Sequence, residues 1–525
     1  MTYHASPWTP LRHAPFRALW FAAVVLNLSI WMQNIGAAWL MTELHPGSPL
    51  MVSLVQTAMA LPAFLLGLPS GVLADLVNRR RFLLLTLSGS IISACALAAL
   101  SLTGALGPWL LLALTFALGC TNAFGMSAWV ATNIDCAPEG QIPAAIALAT
   151  VTPNIARVLG PALAGTLIAF TDFSSLFVIV TVGLLLSALL LRALPNTTVQ
   201  PRLPPERMWN GMLSGLRYMR HSAQLRLALR LVFVFVTAGS GIWALLPLVA
   251  REQLGLGPGG FGLLMGSLGI GAVLSALQIT RLYRHFSVRQ IIAGGGLLFA
   301  LVTALIPLIK DTWVMCALLM LGGIAWMAVN TTAGTVIQTS AAVWVRARVA
   351  SVYLLVIMGA MAAGGALWGV IAERLGIANS LWIASAAIFV GLLLTGRAQM
   401  QLGSEADFST YMAEPENVSD ILLEHDKGPV AVEIAYRINS RDEAEFIGIA
   451  HEVGLARKRN GALAWRLYRD LESPERLVER FLVNSWLDYL RQAERLTRND
   501  QQMERRLRML TIDGNVTVRR YLAQA

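Results

Sequence analysis

The sequence predicts an all-α membrane protein of twelve transmembrane helices in two pseudo-symmetric six-helix halves, followed by a small α+β domain. Hydrophobic residues make up 56% of the 525 residues and charged residues only 13%, so the chain has more apolar surface than a soluble core can bury. Residues 1–399 contain 22 Lys and Arg against 9 Asp and Glu, whereas residues 400–525 contain 18 against 21. The membrane part is therefore expected to end near residue 399.

Twelve apolar segments have about the 20 residues needed to cross a bilayer. The first six form an N-terminal half at 1–194 and are predicted at 16–41, 50–74, 82–104, 108–131, 143–168 and 173–194. The other six form a C-terminal half at 227–399 and are predicted at 227–250, 257–280, 288–309, 312–335, 349–372 and 378–396. Between the halves, residues 195–226 form a linker. In the linker Met208, Met212, Leu216 and Met219 have helical spacing, which predicts an interfacial helix.

The basic residues predict the orientation of the spans. Alternate connections contain 18 Lys and Arg on one side and 3 on the other, so the positive-inside rule places both termini in the cytoplasm of an inner (plasma) membrane protein. These residues punctuate apolar spans and do not form one stripe, so lipid is the predicted partner and nucleic acid is not. Cys95, Cys120, Cys136 and Cys316 have no metal-ligand spacing. No metal and no cofactor is predicted.

A short internal repeat supports the two-half arrangement. The segment GPALAG at 160–165 is similar to GGALWG at 364–369, and repeated halves are typical of transporters. Small residues let helices approach closely, and a proline bends a helix. We therefore predict close packing or a bend at six positions: Gly160, Pro161, Gly165, Gly364, Gly365 and Gly369.

The segment GVLADLVNRRR, residues 71–81, resembles the signature that follows the second helix of the major facilitator superfamily. Asn78 stands where that signature has Gly. The resemblance implies a major facilitator fold and a cytoplasmic gate formed by Asp75, Arg79, Arg80 and Arg81. A simple stop-transfer cluster would explain the three arginines, but it would not explain Asp75.

Polar residues within the spans are candidates for a cavity lining. The neutral ones are Asn27, Gln33, Asn34, Asn122, Asn330, Thr331 and Gln338. Arg157 is the charged one, and since an arginine inside a span costs about 2.5–3.5 kcal/mol, it is expected to face a cavity or a partner. The alternative is that Arg157 reaches the cytoplasmic surface. The superfamily resemblance implies that the first, fourth, seventh and tenth spans line a central cavity, with aromatic walls from Trp31, Trp129, Trp243 and Trp326.

The C-terminal segment, 400–525, is predicted to be a ferredoxin-like α+β domain in the cytoplasm. Strands are expected at 430–438, 461–469 and 476–483, and helices at 440–459 and 484–498. The segment resembles dimeric α/β-barrel domains of the antibiotic-biosynthesis monooxygenase type, which implies a homodimer formed through this domain. Members often have His after a Ser-Trp pair, where this chain has Tyr489 and Ala493, so we predict no catalytic activity.

Nearly the whole chain resembles the transmembrane secretion effector family, relatives of the enterobactin exporter. The resemblance rests on the twelve spans, on NIARVLGPALAG at 154–165, and on PVAVEIAYRI, GALAWRLYRD and ERFLVNSWLDYLRQ in the C-terminal segment. It implies a transporter that exports a small-molecule cargo, siderophore-like or drug-like, by alternating access. Two alternatives remain: a fusion in which the C-terminal domain modifies the cargo as a monooxygenase, and a membrane-anchored sensor or scaffold.

Overall fold

A computed structural model of the chain describes residues 8–138, 140–194, 208–395, 428–512 and 516–523. Within these ranges the side chains at positions 72, 74–76, 208–214, 395, 491 and 493–494 are not described. Among the described residues, twelve helices are long and apolar enough to span a membrane. The predicted number of spans is confirmed.

The six helices of the N-terminal half follow one another through short connections. They are α1 (Ala14–Leu44), α2 (Pro49–Leu76), α3 (Arg79–Leu102), α4 (Pro108–Asp135), α5 (Ile142–Phe170) and α6 (Phe173–Arg192). Several begin where the sequence favours a helix start. Proline is near the start of α2 and α4, where its missing N–H costs nothing, and the Asp172 carboxylate accepts a hydrogen bond from the Ser175 N–H at the start of α6.

The linker contains α7 (Met208–His221), and the C-terminal half follows it. Its first span is interrupted and consists of α8 (Ala223–Gly239), α9 (Gly241–Leu248) and a π-helical turn at Val249–Gln253. The remaining spans are α10 (Pro258–His285), α11 (Val288–Leu305, extended by a 3-10 turn at Ile306–Leu308), α12 (Thr312–Thr339), α13 (Arg346–Leu375) and α14 (Ile377–Thr395). In α7, Met219 is buried and Leu216 is exposed, while the side chains of Met208 and Met212 lie outside those described.

The described chain divides into two compact units. The first contains Met1–Arg202, Leu231–Ala333 and Leu354–Gln399, and so holds most of both helical halves. Large apolar side chains face outward on its helices, for example Phe170 at 85% and Leu277 at 75% exposed. Apolar side chains at such exposure match a lipid environment. The chain is a multi-pass membrane protein.

The two halves of this first unit pack along two helix pairs. In one pair, α2 against α13, a methyl group added at Gly365 would lie 2.7 Å from Thr57 Oγ1, and one added at Gly369 would collide with the Ser53 hydroxyl. In the other pair, α5 against α10, a methyl group at Gly165 would lie 2.7 Å from the Pro258 carbonyl oxygen. Glycine at these positions lets the helix backbones approach closely.

The second unit contains Leu203–Arg230, Gly334–Tyr353 and Met400–Ala525. Its folded domain has β1 (Val430–Arg437), α15 (Glu443–Asn460), β2 (Ala464–Arg469), β3 (Arg476–Val483), α16 (Trp486–Glu494), α17 (Arg498–Met509) and β4 (Thr517–Leu522). The strands form an antiparallel sheet in the order β2-β3-β1-β4. This is the arrangement of a ferredoxin-like domain, and the predicted fold class is confirmed.

The sequence did not predict α17 and β4. The second predicted helix, 484–498, is replaced by α16 and α17, because Thr497 starts a new helix. The Thr497 hydroxyl accepts from the Asp500 N–H, and the Asp500 carboxylate accepts from the Thr497 N–H, which is a reciprocal cap. β4 is short and carries alternating exposed residues, so its apolar signal is weak.

Candidate functional site

A cavity of about 800 Å³ lies between the helical halves of the first unit. Most of its lining comes from α1, α2, α4 and α5 of the N-terminal half, and the rest comes from α9, α10 and α13 of the C-terminal half. Cavities of roughly 300–1,000 Å³ hold drug-sized ligands. The cavity is therefore large enough for a small organic molecule.

The lining is apolar, with a few neutral polar groups. It includes aromatic side chains, five methionines, and amides at the following positions: Trp31, Trp129, Trp243 and Phe261; Met59, Met126, Met265, Met358 and Met361; Asn27, Asn34, Gln56, Asn122 and Asn133. None of the lining residues in the described part of the chain is charged. Methionine side chains adapt to differently shaped ligands because they are unbranched and polarizable.

Two amide groups in this lining are poorly satisfied. The Asn34 Oδ1 and Gln56 Oε1 atoms are buried, and neither has a hydrogen-bond partner among the described residues. Among the described residues, the Gln56 amide donates to the Met361 sulfur, at 3.8 Å across the two halves. A buried acceptor without a partner costs about 1–3 kcal/mol, so a hydrogen-bond donor on a bound molecule would be favourable here.

Three of the predicted cavity residues line the cavity, namely Asn27, Asn34 and Asn122. Gln33 is 2% exposed and donates to Thr115 Oγ1 at 3.4 Å within the N-terminal half. The structure places Gln33 among packed helices and outside the described lining.

Arg157 lies beside the cavity and contacts its wall. Its guanidinium carbon is 5.9 Å from the centre of the Trp31 ring, and Trp31 lines the cavity. Gly160, one turn further along α5, leaves room for Trp31, because a methyl group there would lie 2.5 Å from Trp31 Cβ. Arg157 and Gly160 thus hold one aromatic side chain of the lining.

The cavity residues predicted on the tenth span, which is α12 in the structure, are not part of the described cavity lining. The Asn330 amide donates to the Trp326 carbonyl oxygen, and neither Asn330 nor Thr331 is among the described lining residues. Gln338 belongs to the second unit. Trp326 packs against Trp243, with ring centres 4.3 Å apart. Trp243 lines the cavity, so Trp326 contacts a lining residue without being one of the described lining residues itself.

One end of the cavity is closed by polar contacts between the halves. We call it the latch end. The Glu373 carboxylate on α13 accepts from the Ser48 hydroxyl and from the Leu50 N–H, both at 3.1 Å. The Arg251 guanidinium donates to the carbonyl oxygen of Thr42 and, at 3.0 Å, to its hydroxyl.

The opposite end carries the basic cluster, and we call it the basic end. Arg79 forms an ion pair with Asp135, and Arg80 donates to the Arg192 carbonyl oxygen. Arg81 is exposed, and its N–H donates to the Asn78 side chain, which caps α3. The Asp75 side chain lies outside those described, so its predicted role in a gate stays a prediction.

The cavity extends toward the basic end. Its lining includes Asn133 and Ile134 in the last turn of α4 and Ile146 near the start of α5. The ends of these helices lie at the basic end, because Arg79 pairs with Asp135 there. The described residues thus show a cavity that is closed at the latch end and reaches the basic end.

Several residues that line the cavity were not predicted from the sequence. Gln56 was detectable in principle, because it is the one Asn or Gln within the predicted second span. The five methionines and Phe261 carry no distinguishing signal, since an apolar side chain in a span faces lipid, a neighbouring helix or a cavity equally well. Only the packing of the helices separates these cases.

Comparisons with known proteins agree with this architecture. The sequence model of a family described as transmembrane secretion effector matches residues 5–525. The chain is 29% identical over 293 residues to an uncharacterized MFS-type transporter, YfiS, of Bacillus subtilis, covering 54% of this chain and 68% of that protein. It is 26% identical over 416 residues to the multidrug efflux pump Tap of Mycobacterium tuberculosis, covering 74% and 95%.

Solved structures share the fold of the membrane part. A crystal structure of a mutant of the nucleoside transporter NupG superposes with a TM-score of 0.59 at 12% identity, covering 72% of this chain and 98% of that one. A POT family transporter in complex with 5-aminolevulinic acid superposes with a TM-score of 0.58 at 15% identity, covering 72% and 95%. At such identities the similarity shows the fold alone.

Proposed function

Because the chain belongs to the transmembrane secretion effector family of major facilitator transporters, we propose that it is a secondary active transporter that exports a small organic molecule by alternating access. The observation that carries the proposal is the cavity between the two halves, which is closed at the latch end and reaches the basic end. A transporter of this kind exposes one central site to each side of the membrane in turn.

The distribution of basic residues orients the cavity in this proposal. In the sequence, the alternate connections that include Arg79 to Arg81 contain 18 Lys and Arg and the other connections contain 3, so the positive-inside rule places the basic end in the cytoplasm of a plasma-membrane protein. The cavity then faces the cytoplasm, where an exporter takes up its cargo. Asp75 and Arg79 to Arg81 would gate this end, and Glu373 and Arg251 would gate the latch end.

The lining indicates the chemistry of the cargo. Aromatic and methionine side chains favour an apolar body, and the amides of Asn34 and Gln56 favour a few hydrogen-bond donors. With no charged residue in the described lining, the cargo is expected to be amphipathic and neutral over the part that enters the cavity. Siderophore-like and drug-like molecules both fit this description.

A retention experiment tests the proposal. Cells that lack the protein and cells that overproduce it are loaded with a panel of uncharged amphipathic dyes that includes Nile red, and the metabolites retained by each strain are also compared. We expect overproduction to lower the retained amount of at least one compound, and Gln56→Leu to reverse part of the effect. Equal retention of every dye and metabolite in both strains would overturn the proposal and favour a sensor or scaffold.

We also propose the homodimer that the sequence predicts through the C-terminal domain. The sheet face opposite α15 exposes Leu482, Tyr468 and Tyr521, which a second copy would cover. Light scattering of the purified full chain is expected to give twice the monomer mass, and Leu482→Arg is expected to give the monomer. Leu455→Arg, at an exposed position on α15, is the matched control and should leave the dimer intact. A wild-type monomer would contradict the proposal.

A further inference from the structure

Arg157 lies near the middle of α5, far from both ends of the span. The helix runs from Ile142 to Phe170, so at a rise of about 1.5 Å per residue Arg157 is roughly 20 Å from each end. An arginine side chain is too short to reach either end over that distance. The guanidinium therefore needs a partner or water within the membrane part of the protein.

The helical spacing of α5 places Arg157 on the cavity side. Thr150 and Pro153 line the cavity, and Arg157 follows Pro153 by four residues on the same face of the helix. Leu159 and Leu163, which are 47% and 48% exposed, lie on the opposite face, where lipid would cover them. The half-buried Arg157 side chain is thus directed away from lipid.

No acidic side chain pairs with this charge in the part of the chain that the structure describes. None of the ion pairs between described residues includes Arg157. The described acidic residues of the membrane part lie near helix ends or in connections, for example Asp135 at the end of α4 and Asp172 before α6. The guanidinium carbon lies 5.9 Å from the centre of the Trp31 ring. Attraction to an aromatic ring offsets only part of the cost of removing a charge from water.

We propose that Arg157 is the anion-binding group of the cargo site, and that the cargo is an amphipathic acid with an apolar body and one ionised acidic group such as a carboxylate. This inference rests on the proposed function and narrows its cargo to one chemical class. The described lining contains no charged residue, so the body of the molecule has neutral surroundings there. Its acidic group reaches Arg157 past the edge of the Trp31 ring, which lines the cavity.

A guanidinium suits this role because it presents paired N–H donors to the two oxygens of a carboxylate. The pair forms away from bulk water, where the attraction between opposite charges is stronger than in water. An acid and a neutral analogue with the same body make the same apolar contacts. The difference between their affinities therefore measures recognition of the acidic group.

Two fluorescent probes with one body test the proposal on the full chain in lipid nanodiscs. Pyrenebutyric acid is ionised at neutral pH, and pyrenebutyramide has a neutral amide in place of the carboxylate. Binding is measured by equilibrium dialysis, and the signal of empty nanodiscs is subtracted. We expect the wild-type chain to bind the acid about tenfold more tightly than the amide, as one charge-assisted contact provides. Equal affinity for the two probes would overturn the proposal.

Substitutions at Arg157 assign the preference to this residue. Arg157→Gln should weaken binding of the acid about tenfold and leave binding of the amide unchanged. The matched control is Arg289→Gln, which removes one exposed positive charge at the start of α11 and should keep the wild-type preference. If Arg157→Gln weakens binding of both probes by the same factor, Arg157 only positions Trp31 and the proposal is wrong.

Arg157→Lys provides a second variant that keeps the charge. Its ammonium group lacks the paired donors of a guanidinium, so it should lower the affinity for the acid in part and leave the affinity for the amide unchanged. The melting temperature shows whether each variant is folded. If Arg157→Gln does not fold, Arg157→Lys decides, and an unchanged affinity for the acid in that variant would contradict the paired contact.

Retention of Nile red separates a failure of this inference from a failure of the proposed function. Nile red is uncharged, so its export does not require an anion-binding group. If overproduction of the wild-type chain lowers Nile red retention and the acid is not preferred in binding, only the amphipathic acid is wrong. If overproduction changes the retention of no compound, pyrenebutyric acid included, the proposed export is wrong as well.

Discussion

At the scale of single residues, buried polar groups have opposite roles in the two units. Glu479 of β3 is 2% exposed, and its carboxylate accepts from the Tyr436 hydroxyl and the Trp465 indole N–H, both at 2.8 Å, and from Arg457. This network is fully paired, and Glu504 and Glu479 raise the pKa of Arg457 although burial alone would lower it. By contrast, the Gln56 carbonyl oxygen in the cavity has no hydrogen-bond partner in the part of the chain that the structure describes. A group of the first kind stabilises a fold, whereas a group of the second kind is available to a ligand.

Gln56 and Gln33 form a matched pair that tests this distinction. Gln56→Leu is expected to leave the melting temperature unchanged or to raise it, because the substitution removes a buried acceptor that has no partner. Gln33→Leu breaks the hydrogen bond to Thr115 and is expected to lower the stability by about 1 kcal/mol. Thermal unfolding of both variants in detergent measures the difference. A lower melting temperature for Gln56→Leu than for Gln33→Leu would contradict the assignment.

Glu479→Leu is expected to unfold or loosen the C-terminal domain. Among the described residues, the substitution leaves the buried Arg457 with Glu504 as its one ionic partner, and removing one member of a buried ion pair costs about 3–5 kcal/mol. Hydrogen exchange of β1 in the full chain measures the loss. The control is Glu472→Leu, an exposed position in the loop after β2, which should keep the protection of the wild-type chain. Equal protection in both variants would rule out a structural role for the network.

At the scale of helices, the contact between the halves depends on small residues facing hydroxyl groups. Gly365 faces Thr57 and Gly369 faces Ser53, and the Thr57 hydroxyl also donates to the Ala362 carbonyl oxygen at 2.9 Å. Contacts of this kind bring two helices together by packing and by hydrogen bonds, without a hydrophobic driving force. They can also be exchanged for contacts with lipid or with another helix, as the proposed alternating access would require.

Gly365→Ala is expected to weaken the closed latch end. The added methyl group would lie 2.7 Å from Thr57 Oγ1 and 3.2 Å from the Ser53 carbonyl oxygen, and overpacking of this kind costs about 1–3 kcal/mol. The variant should therefore have a lower melting temperature. A cysteine placed at Val52, which lines the cavity and is 2% exposed, should also react faster with a membrane-impermeant maleimide added to intact cells. Gly294→Ala on α11 is the matched control, since nothing lies within 4 Å of its added methyl group. The same response in both variants would show that the effect does not come from the contact with α2.

At the scale of the whole molecule, the second compact unit combines segments that are far apart in the sequence. The linker and the α12–α13 connection belong to the same compact unit as the C-terminal domain, although they lie between membrane spans in the sequence.

Reporter fusions test the orientation that the proposed function requires. Fusions after residues 200 and 400 should both report a cytoplasmic location, because the connections on that side contain 18 Lys and Arg and those on the other side contain 3. Fusions after residues 46 and 376, in connections of the other side, serve as controls and should report the opposite location. A periplasmic signal after residue 200 or 400 would reverse the proposed direction of the cavity.

The sequence by itself determined the number of spans and the ferredoxin-like class of the C-terminal domain. Hydrophobic length and periodicity are local properties of the sequence. Each helix or strand must have partners for its backbone hydrogen-bonding groups, and its outward side chains must suit the surrounding lipid or water. The sequence also identified Asn27, Asn34 and Asn122 of the lining as amides within spans, but the same criterion selected Gln33 and Asn330, which lie outside the described lining.

Only the tertiary structure decided which apolar side chains face the cavity and which segments the C-terminal domain binds. Met358 and Met361 line the cavity, yet nothing in their neighbourhood in the sequence separates them from methionines that face lipid. Tyr218, Trp344 and Arg459 are likewise unremarkable along the chain and meet only because three distant segments fold together. Such contacts depend on how whole elements are arranged in space, and no local pattern of residues encodes that arrangement.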